Sequence, residues 1–510
     1  MLIKFIREFF KTEGTPEPEP EPLSPVSLRR SLFENMVKIQ GEIGDSDDFI
    51  YREFESCGYK FACLSMENMI DKEQMNKQVI EKITAARNLP DNPEERFIKV
   101  ESCISTSPDQ KRILDFESLY HSLMSGCAIL LSDGMAAALI ISVQNFPSRS
   151  VNDPQNEVMA RGSNEGFTEV LKDNMAMVRR RLKTTQLKFE VTQVGEKSKT
   201  DVAICYLADT VDKKILRDVK RRINSIEIDS VMESGYIQPF LDTNNMSIFP
   251  SVGNTERPDT LCGKISEGRI AILVDGTPFC LIVPHLFSEN FQSLDDYTLS
   301  PFFVTFIRAV KYLSFFLSIL LAGFYVAICE YSPEVFPTAI LHKVFDSEAT
   351  TPFPSMWEAF LIHIIYEIMR EAGLRLPKSI GPAVSIVGGI VIGEAATTAG
   401  LIGAPMIIVV ATTALTSFVI PNLYYPCAVL RIAGIFIGGL TGITGMILFL
   451  AVVIIAICDQ NTYGIPLSSP ISPFDLSASR DTVVRAGWRT LSRKTTKIQN
   501  LHGTNGENSR

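Results

Sequence analysis

Glu394 is the one charged residue between positions 385 and 421, in a stretch that is otherwise apolar, small or hydroxylic. An ionisable side chain inside a membrane span is costly and usually has a functional role. Val387, Val391 and Thr398 share a helix face with Glu394, because the four residues follow one another at steps of four, three and four. Facing a water-filled path, Glu394 would attract cations and Val391 would narrow the path as an apolar gate. These four residues are therefore the candidates to line a pore, if the chain forms one.

A second polar face lies upstream, in the apolar segment Met356–Ala372. His363, Glu367 and Arg370 are spaced four and three residues apart there and fall on one side of a helix. One interpretation is an amphipathic helix at the membrane surface or against a soluble domain. The other is a membrane span whose polar face turns to the bundle interior or to water. Glu394 also has two interpretations. It either lines a pore or pairs with a polar group on this face of the neighbouring helix.

Small residues recur on the helix that carries Glu394. Gly389 and Gly393 are four residues apart, and so are Ala396 and Gly400. Small residues at this spacing let a neighbouring helix backbone approach closely in a membrane. The pattern therefore predicts tight helix packing through these four residues, within one chain or between subunits.

Residues 302–458 contain enough apolar sequence for an all-α membrane bundle of about five helices. Arg308 and Lys311 precede the first uncharged run, and this basic flank places the preceding domain in the cytoplasm. The predicted spans are Tyr312–Cys329, Met356–Ala372, two helices within 385–421 that break near 403–405, and a long fifth helix, Leu430–Cys458.

The polar, basic tail at 459–510 bears on the number of spans. Five spans put this tail on the side opposite the cytoplasmic domain. Its Lys and Arg residues begin well past Cys458, where the charge bias that orients membrane proteins is weak. An even number of spans, with the tail inside, is the rival arrangement.

The part of the chain before the membrane helices is predicted to hold two α/β subdomains, at 29–148 and 162–285, after a Pro- and Glu-rich linker within 1–28. Each subdomain has a helix and a hairpin with an Asp-Gly turn. These turns are at Asp133 and Asp275, and the second aspartate is taken as a turn residue only. A short strand is expected at Val100–Ile104.

Composition and motifs exclude several function classes. The sequence lacks phosphate-binding loops, nucleophile elbows, metal-protease motifs and zinc-ligand spacings, so we expect no catalytic residues, no metal and no cofactor. A basic stripe with interleaved aromatic residues is also lacking, which argues against a nucleic-acid partner. The basic run 179–181 is typical of an exposed helix face, with a contact to a partner or to lipid phosphate as the alternative.

Several segments resemble one family, the A subunits of the spore germinant receptors of endospore-forming bacteria. These segments are NTERPD at 254–259, GRIAILVD at 268–275, PFCLIVP at 278–284, SLDDY at 293–297, REAGLRLP at 370–377 and GGIVIG at 388–393. They are spread over most of the chain. The resemblance implies a cytoplasmic two-part α/β domain followed by about five membrane helices.

The resemblance also implies a location and partners. Proteins of this family lie in the inner membrane of the dormant spore and work with a membrane-embedded B subunit, which binds the nutrient, and a lipoprotein C subunit. The A subunit is expected to form a ring, a homopentamer, in the lipid bilayer around a nutrient-gated cation channel. Two other functions remain open, a non-conducting membrane scaffold for the receptor partners and a secondary transporter with a buried carboxylate.

Overall fold

A computed structural model describes most of the chain between Val26 and Thr504. The described residues are 26–86, 88–104, 110–145, 157, 162–244, 247–349, 351–376, 393–475, 478–491, 497–501 and 504. Three of the predicted site residues, Val387, Gly389 and Val391, lie outside this set, as does most of the predicted linker at 1–28.

The first α/β unit is a five-stranded antiparallel sheet with helices on both faces. Its strands are β1 (Phe49–Ser56), β2 (Tyr59–Met66), β3 (Gln110–Ile113), β4 (Ala128–Ser132) and β5 (Ala138–Ile141). Its helices are α1 (Leu32–Ile43), α2 (Lys72–Met75), α3 (Glu81–Ala85), α4 (Pro93–Ile104) and α5 (Phe116–Met124), and a π-helical turn, Asn76–Ile80, joins α2 to α3. The strand order is β1-β2-β4-β5-β3. Side chains alternate along β2, so that Ala62 and Leu64 enter one core while Phe61 and Cys63 enter the other.

The second unit repeats this architecture. Its strands are β6 (Leu187–Val194), β7 (Thr200–Leu207), β8 (Gly253–Thr255), β9 (Ile270–Val274) and β10 (Cys280–Val283). Its helices are α6 (Leu171–Arg181), α7 (Lys213–Asn224), α8 (Gln238–Leu241) and α9 (Pro258–Ser266). The strand order, β6-β7-β9-β10-β8, matches that of the first sheet position by position. Both predicted α/β halves are therefore present as sheets of the same topology.

The strand predicted at Val100–Ile104 is wrong, because these residues form the last turns of α4. Phe97, Val100 and Ile104 are buried at steps of three and four, which is the helical period, and Pro93 occupies the first position of the helix. The edge strands β3 and β8 were not predicted from the sequence.

Arg179 joins the two sheet units through a buried ion pair. Its Nε lies 2.9 Å from Oδ2 of Asp48, and both side chains are almost wholly buried. The same guanidinium donates to the Ser46 hydroxyl at 3.2 Å. The expectation of an exposed basic run at 179–181 is therefore wrong for Arg179, whereas Arg180 and Arg181 are partly exposed and pair with Glu165.

The helical part follows the second sheet. It consists of α10 (Pro301–Tyr331), α11 (Thr338–Glu348), α12 (Ser355–Arg375), a helical turn at 393–398, α13 (Ala404–Phe418) and α14 (Tyr424–Asp459). Short 3₁₀ helices lie at Ser234–Tyr236, Phe287–Phe291, Leu294–Tyr297, Pro333–Val335, Pro421–Leu423, Ala478–Arg480 and Ile498–Asn500. Within the described residues, two segments are long and apolar enough to cross a membrane, Pro301–Tyr331 and Pro421–Asp459.

The chain of α14 reverses direction at Gly442, where φ is 67° and ψ is −157°. A Cβ atom built on Gly434 would lie 3.3 Å from the Phe449 ring. In a straight helix these two residues would be about 22 Å apart. The predicted single long span, Leu430–Cys458, is therefore wrong in this respect, because the segment is a hairpin of two antiparallel helical limbs.

The tail returns to the second sheet unit immediately after α14. It contains the short strands β11 (Asn461–Thr462) and β12 (Ile465–Pro466) and the short helix α15 (Trp488–Leu491). Ile465, Ile498 and Leu501 are buried in the core beside β7 and β9. The five-span arrangement, which put the tail on the side opposite the sheets, is corrected by these contacts.

The tail also holds the base of α10. Arg308 is fully buried, and its Nε lies 2.6 Å from Oδ2 of Asp296, while its Nη1 donates to both the Asp481 carbonyl at 2.7 Å and the Thr482 carbonyl at 3.0 Å. A buried arginine is tolerated when its charge is paired with a carboxylate. The junction of sheet, helix and tail is thus held by one paired charge.

Candidate functional site in the helical part

The predicted polar face of α12 begins with His363, which is fully buried. Its Nδ1 lies 2.7 Å from the Ala359 carbonyl oxygen, so this nitrogen carries the proton. Its Nε2 lies 3.3 Å from the Thr413 hydroxyl on α13. The imidazole therefore joins α12 to α13 inside the bundle.

One helical turn along, Glu367 and Arg370 meet Tyr424 at the start of α14. The Tyr424 hydroxyl donates to Oε2 of Glu367 at 2.7 Å. Arg370 Nε lies 3.3 Å from the same carboxylate, and the Arg370 guanidinium lies 3.7 Å from the centre of the Tyr424 ring. All three predicted residues of this face thus contact other helices or one another.

Arg431 on the first limb of α14 was not predicted as a site residue. It is buried and donates to the Ser318 carbonyl on α10 at 2.9 Å and to the Ser417 hydroxyl on α13. Its third nitrogen lies 3.8 Å from the Glu367 carboxylate on α12. Arg431 therefore links four helices, and its isolated charge between Pro426 and Cys458 is the signal that could have indicated it.

The carboxylate of Glu358 is also buried, but it lies outside the predicted polar face of α12. It accepts the backbone N–H of Gly403, where the chain turns into α13. An added Cβ at Gly403 would lie 2.6 Å from the Ser347 hydroxyl oxygen, so a larger residue here would require that hydroxyl to move. Glu358 and Gly403 mark the end of the bundle opposite to Tyr424.

Glu394 and Thr398 are both exposed, while Ala396 between them belongs to a buried cluster that also contains residues of α10, α12 and α13. Glu394 does not contact His363 or Arg370, whose partners lie elsewhere. Within the described part of the chain, the Glu394 carboxylate faces outward from the bundle. Val387 and Val391 of the same predicted face lie outside the described residues.

The predicted packing glycines are placed differently from one another. Gly393 has no atom within 4 Å of an added Cβ, and Gly400 ends the helical turn with a φ of +66°. Within the described part of the bundle, a close backbone contact is made by Gly323 of α10 with Gly434 and Gly438 of α14, where an added Cβ would overlap the facing carbonyl group.

A charged cluster lies between the second sheet unit and the base of α10. The Glu289 carboxylate pairs with Arg269, with Lys264 at 3.3 Å and with His285 at 3.0 Å. Burial alone would raise the pKa of Glu289, but the neighbouring Arg269, Lys264 and His285 outweigh burial and hold that pKa well below its ordinary value. The cluster borders a cavity of about 860 Å³ that also touches the tail at Trp488.

Comparison with known proteins gives a consistent result. The family model described as Bacillus/Clostridium GerA spore germination protein matches residues 37–497. Spore germination protein KA of Bacillus subtilis (strain 168) is 36% identical over 469 residues, which cover 91% of this chain and 86% of that protein. Spore germination protein B1 of the same organism is 31% identical over 475 residues, covering 92% of this chain and 98% of that protein.

Two further similarities are with a membrane protein and a solved structure. The uncharacterized membrane protein YfkQ of Bacillus subtilis (strain 168) is 35% identical over 491 residues, covering 95% of this chain and 94% of that protein. The solved structure is the crystal structure of the N-terminal domain of the A subunit of the Bacillus megaterium spore germinant receptor GerK3. Its sequence is 31% identical, and the alignment covers 52% of this chain and 99% of the GerK3 domain with a TM-score of 0.42.

The family model and the relatives each match most of the chain, from the first sheet unit through the helical part to the tail. The resemblance inferred from the sequence motifs is thereby confirmed, and the chain belongs to the GerA family of spore germination proteins.

Proposed function

We propose that this chain is the A subunit of a nutrient germinant receptor in the spore inner membrane, where five copies form a ring around a nutrient-gated cation pore. It works there with a membrane-embedded B subunit, which binds the nutrient, and with a lipoprotein C subunit. Membership of the GerA family supports the receptor role. The outward-facing Glu394 is the observation that carries the pore.

The ionisable groups inside the bundle support this choice by contrast. Arg370 and Arg431 each lie beside the carboxylate of Glu367, and Glu358 accepts the backbone N–H of Gly403. These groups hold the bundle together. Glu394 and Thr398, however, present polar groups on the outside of the single chain, as residues that line a space between subunits must.

Gating then requires that the nutrient signal favour the open ring over the closed ring. A ligand that bound both states equally would not change their populations. The signal from the B subunit must therefore reach the helix of Glu394. Ala396, on the same helical turn, lies in one buried cluster with residues of α10, α12 and α13. The gating signal would pass to Glu394 through this cluster.

The membrane arrangement that we propose has six crossings, with the sheet units and the tail both in the cytoplasm. Five of them are α10, α12, α13 and the two limbs of α14, and the sixth is the first of the two helices that the sequence predicts within 385–421. The contacts of Arg370 with Tyr424 at one end and of Glu358 with Gly403 at the other support the assignment of the two ends. The contacts of the tail with the second sheet unit support an even number of crossings.

Labelling from one side of the membrane tests this arrangement. In sealed vesicles, an impermeant maleimide is expected to reach exposed Cys57 of the first sheet unit and the thiol of Ser472→Cys in the tail from the same side. The thiol of Glu334→Cys, in the exposed loop after α10, should be reached only from the other side. Labelling of Ser472→Cys together with Glu334→Cys would contradict an even number of crossings.

Ion flux tests the channel. The full chain is reconstituted with its B and C partners in liposomes loaded with K⁺ or Na⁺, and release is measured with and without candidate nutrients. We expect nutrient-triggered release that Glu394→Gln reduces or makes less selective, because the substitution removes the charge that attracts cations.

The matched control is Glu334→Gln, which removes a carboxylate from an exposed loop of the same half of the chain. It should leave flux unchanged. An assembled complex that never releases ions would reject the channel and favour the non-conducting scaffold. Release that is unaltered by Glu394→Gln would remove Glu394 from the pore while leaving the receptor role intact.

A further inference from the structure

One face of α10 carries an unbroken line of apolar side chains, which are exposed as far as Leu313 and half-buried from Leu317 onward. At steps of three and four residues, the line consists of Phe303, Phe306, Val310, Leu313, Leu317, Leu321, Phe324 and Ile328. This spacing puts all of them on one side of the helix. The line is about 38 Å long at 1.5 Å per residue. It therefore exceeds the hydrocarbon core of a bilayer, about 30 Å, and extends into the headgroup layer.

The lower end of this line is open to the surroundings. Phe306 is 63% exposed, and Phe303 and Leu313 are exposed by half or more. On the opposite side of the same turns, Val304 and Arg308 are buried against the second sheet unit and the tail. In its first turns α10 thus has one face that is buried against the rest of the protein and one apolar, aromatic face that is exposed.

The tail adds a tryptophan beside this end of α10. The backbone N–H of Arg485 donates to the Thr305 hydroxyl at 3.2 Å, which fixes the tail against the helix. The indole N–H of Trp488 donates to the Tyr297 carbonyl at 3.1 Å, yet the side chain remains exposed. Tryptophan and other aromatic residues are enriched where membrane proteins meet the headgroup layer, because they are apolar with one polar edge.

We propose that Phe303, Phe306, Val310, Leu313 and Trp488 form an interfacial anchor that lies in the headgroup layer of the lipid bilayer. The second sheet unit then rests directly on the membrane surface. Lipid is the occupant because the line continues without interruption into the part of α10 that crosses the hydrocarbon, so one bilayer covers the whole face. This proposal depends on the crossing of the membrane by α10, which is part of the proposed function, but it does not depend on ion conduction.

Fluorescence quenching by lipid tests the anchor, since the chain has two tryptophans, Trp357 and Trp488. The full chain with Trp357→Phe keeps Trp488 as the single reporter. It is placed in vesicles of phosphatidylethanolamine and phosphatidylglycerol, with or without bromine atoms on the acyl chains near the headgroups or at the chain ends. We expect loss of Trp488 emission that is larger for shallow than for deep bromines.

Emission that is insensitive to bromine at both depths would overturn the proposal. A second measurement identifies the occupant. A photoreactive phenylalanine analogue is placed at Phe306 and, as a control, at exposed Phe33 on the first sheet unit. Adducts with lipid at position 306 alone would support the anchor. A covalent dimer through position 306 would overturn it in favour of a second copy of the chain.

Discussion

Asp133 and Asp275 have the same structural role in the two sheet units. Each carboxylate accepts, at 3.0 Å, the backbone N–H of the first residue of the helix that opens its own unit, Leu32 in α1 and Leu171 in α6. The glycine after each aspartate donates its N–H to the backbone just before that helix, at 2.9 Å in the first unit and 2.7 Å in the second. The Asp-Gly turns therefore join the hairpin of each sheet to its first helix.

The helices themselves repeat this correspondence. Asn35 is the fourth residue of α1 and Asn174 is the fourth residue of α6, and each amide bonds both the carbonyl and the N–H of one backbone residue before its helix. Together with the common strand order, these matched contacts indicate that the two units are structural repeats.

Replacing either aspartate should destabilise its own unit. Asp133→Ala and Asp275→Ala each leave a helix N-terminus without its acceptor, and we expect a cost of about 1 kcal/mol. Hydrogen exchange of the full chain in detergent measures the effect, as faster exchange at 29–40 for the first variant and at 168–178 for the second. Asp→Asn at the same positions keeps an acceptor oxygen and should lose less. An equal increase in exchange rate for Asp→Ala and Asp→Asn at the same position would contradict a capping role.

The buried ion pair between the sheet units predicts an unequal effect within one basic run. Arg179→Ala leaves the Asp48 carboxylate buried without its cation, and we expect a loss of about 3–5 kcal/mol. Arg180→Ala is the matched control, because that side chain is partly exposed and its Glu165 partner keeps Arg181. Thermal unfolding of the full chain in detergent should show a much larger decrease for Arg179→Ala, and similar decreases would refute the pair's role.

The reversal in α14 depends on glycine. At Gly442 a φ of 67° with a ψ of −157° is a conformation that essentially only glycine adopts and that costs other residues about 1–3 kcal/mol, and an added Cβ would also lie 3.0 Å from the Tyr331 ring. Gly442→Ala should therefore lower the unfolding temperature in detergent. Gly263→Ala in α9 is the control, since an added Cβ there meets nothing within 4 Å. A Gly442→Ala chain as stable as wild type would show that the limbs are not joined by this turn.

Acid should weaken the junction below the second sheet. Because the folded chain depresses the pKa of Glu289, its ionised form stabilises the fold above the ordinary pKa of 4.5, and that stabilisation is lost as pH falls through the lower folded-state pKa. Wild-type unfolding temperature should therefore decline below about pH 4.5. Glu289→Gln should be less stable at neutral pH and should show a flatter acid decline.

Glu267→Gln serves as the control for that experiment. Glu267 also pairs with Arg269, but its side chain is more exposed, so its loss should cost less. An unchanged acid decline in Glu289→Gln would assign the pH dependence to other carboxylates.

Much of the fold follows from local sequence patterns. Alternating apolar residues and Asp-Gly turns indicated the central hairpins, and the spacing of His363, Glu367 and Arg370 indicated a shared helix face, which in the structure contacts neighbouring helices. The edge strands β3 and β8 are too short to show a period. Such strands take their conformation from the neighbour they pair with.

Two features, one in the helical part and one between the sheet units, had no local signal. An apolar run of this length has the same composition whether it forms one helix or two, so the reversal at Gly442 could not be read from it. The burial of Arg179 depends on Asp48, more than a hundred residues away in the other sheet unit. Both depend on long-range contacts rather than on neighbouring residues.

The return of Ile465, Ile498 and Leu501 to the core of the second sheet also sets an order of synthesis. In the membrane arrangement proposed above, a ribosome makes the strands of that sheet first, then the membrane helices, and only then these three residues of its core. The second unit would therefore stay incompletely packed until membrane insertion is over. Its completion would then depend on the residues after α14 reaching the same side of the bilayer as the sheets.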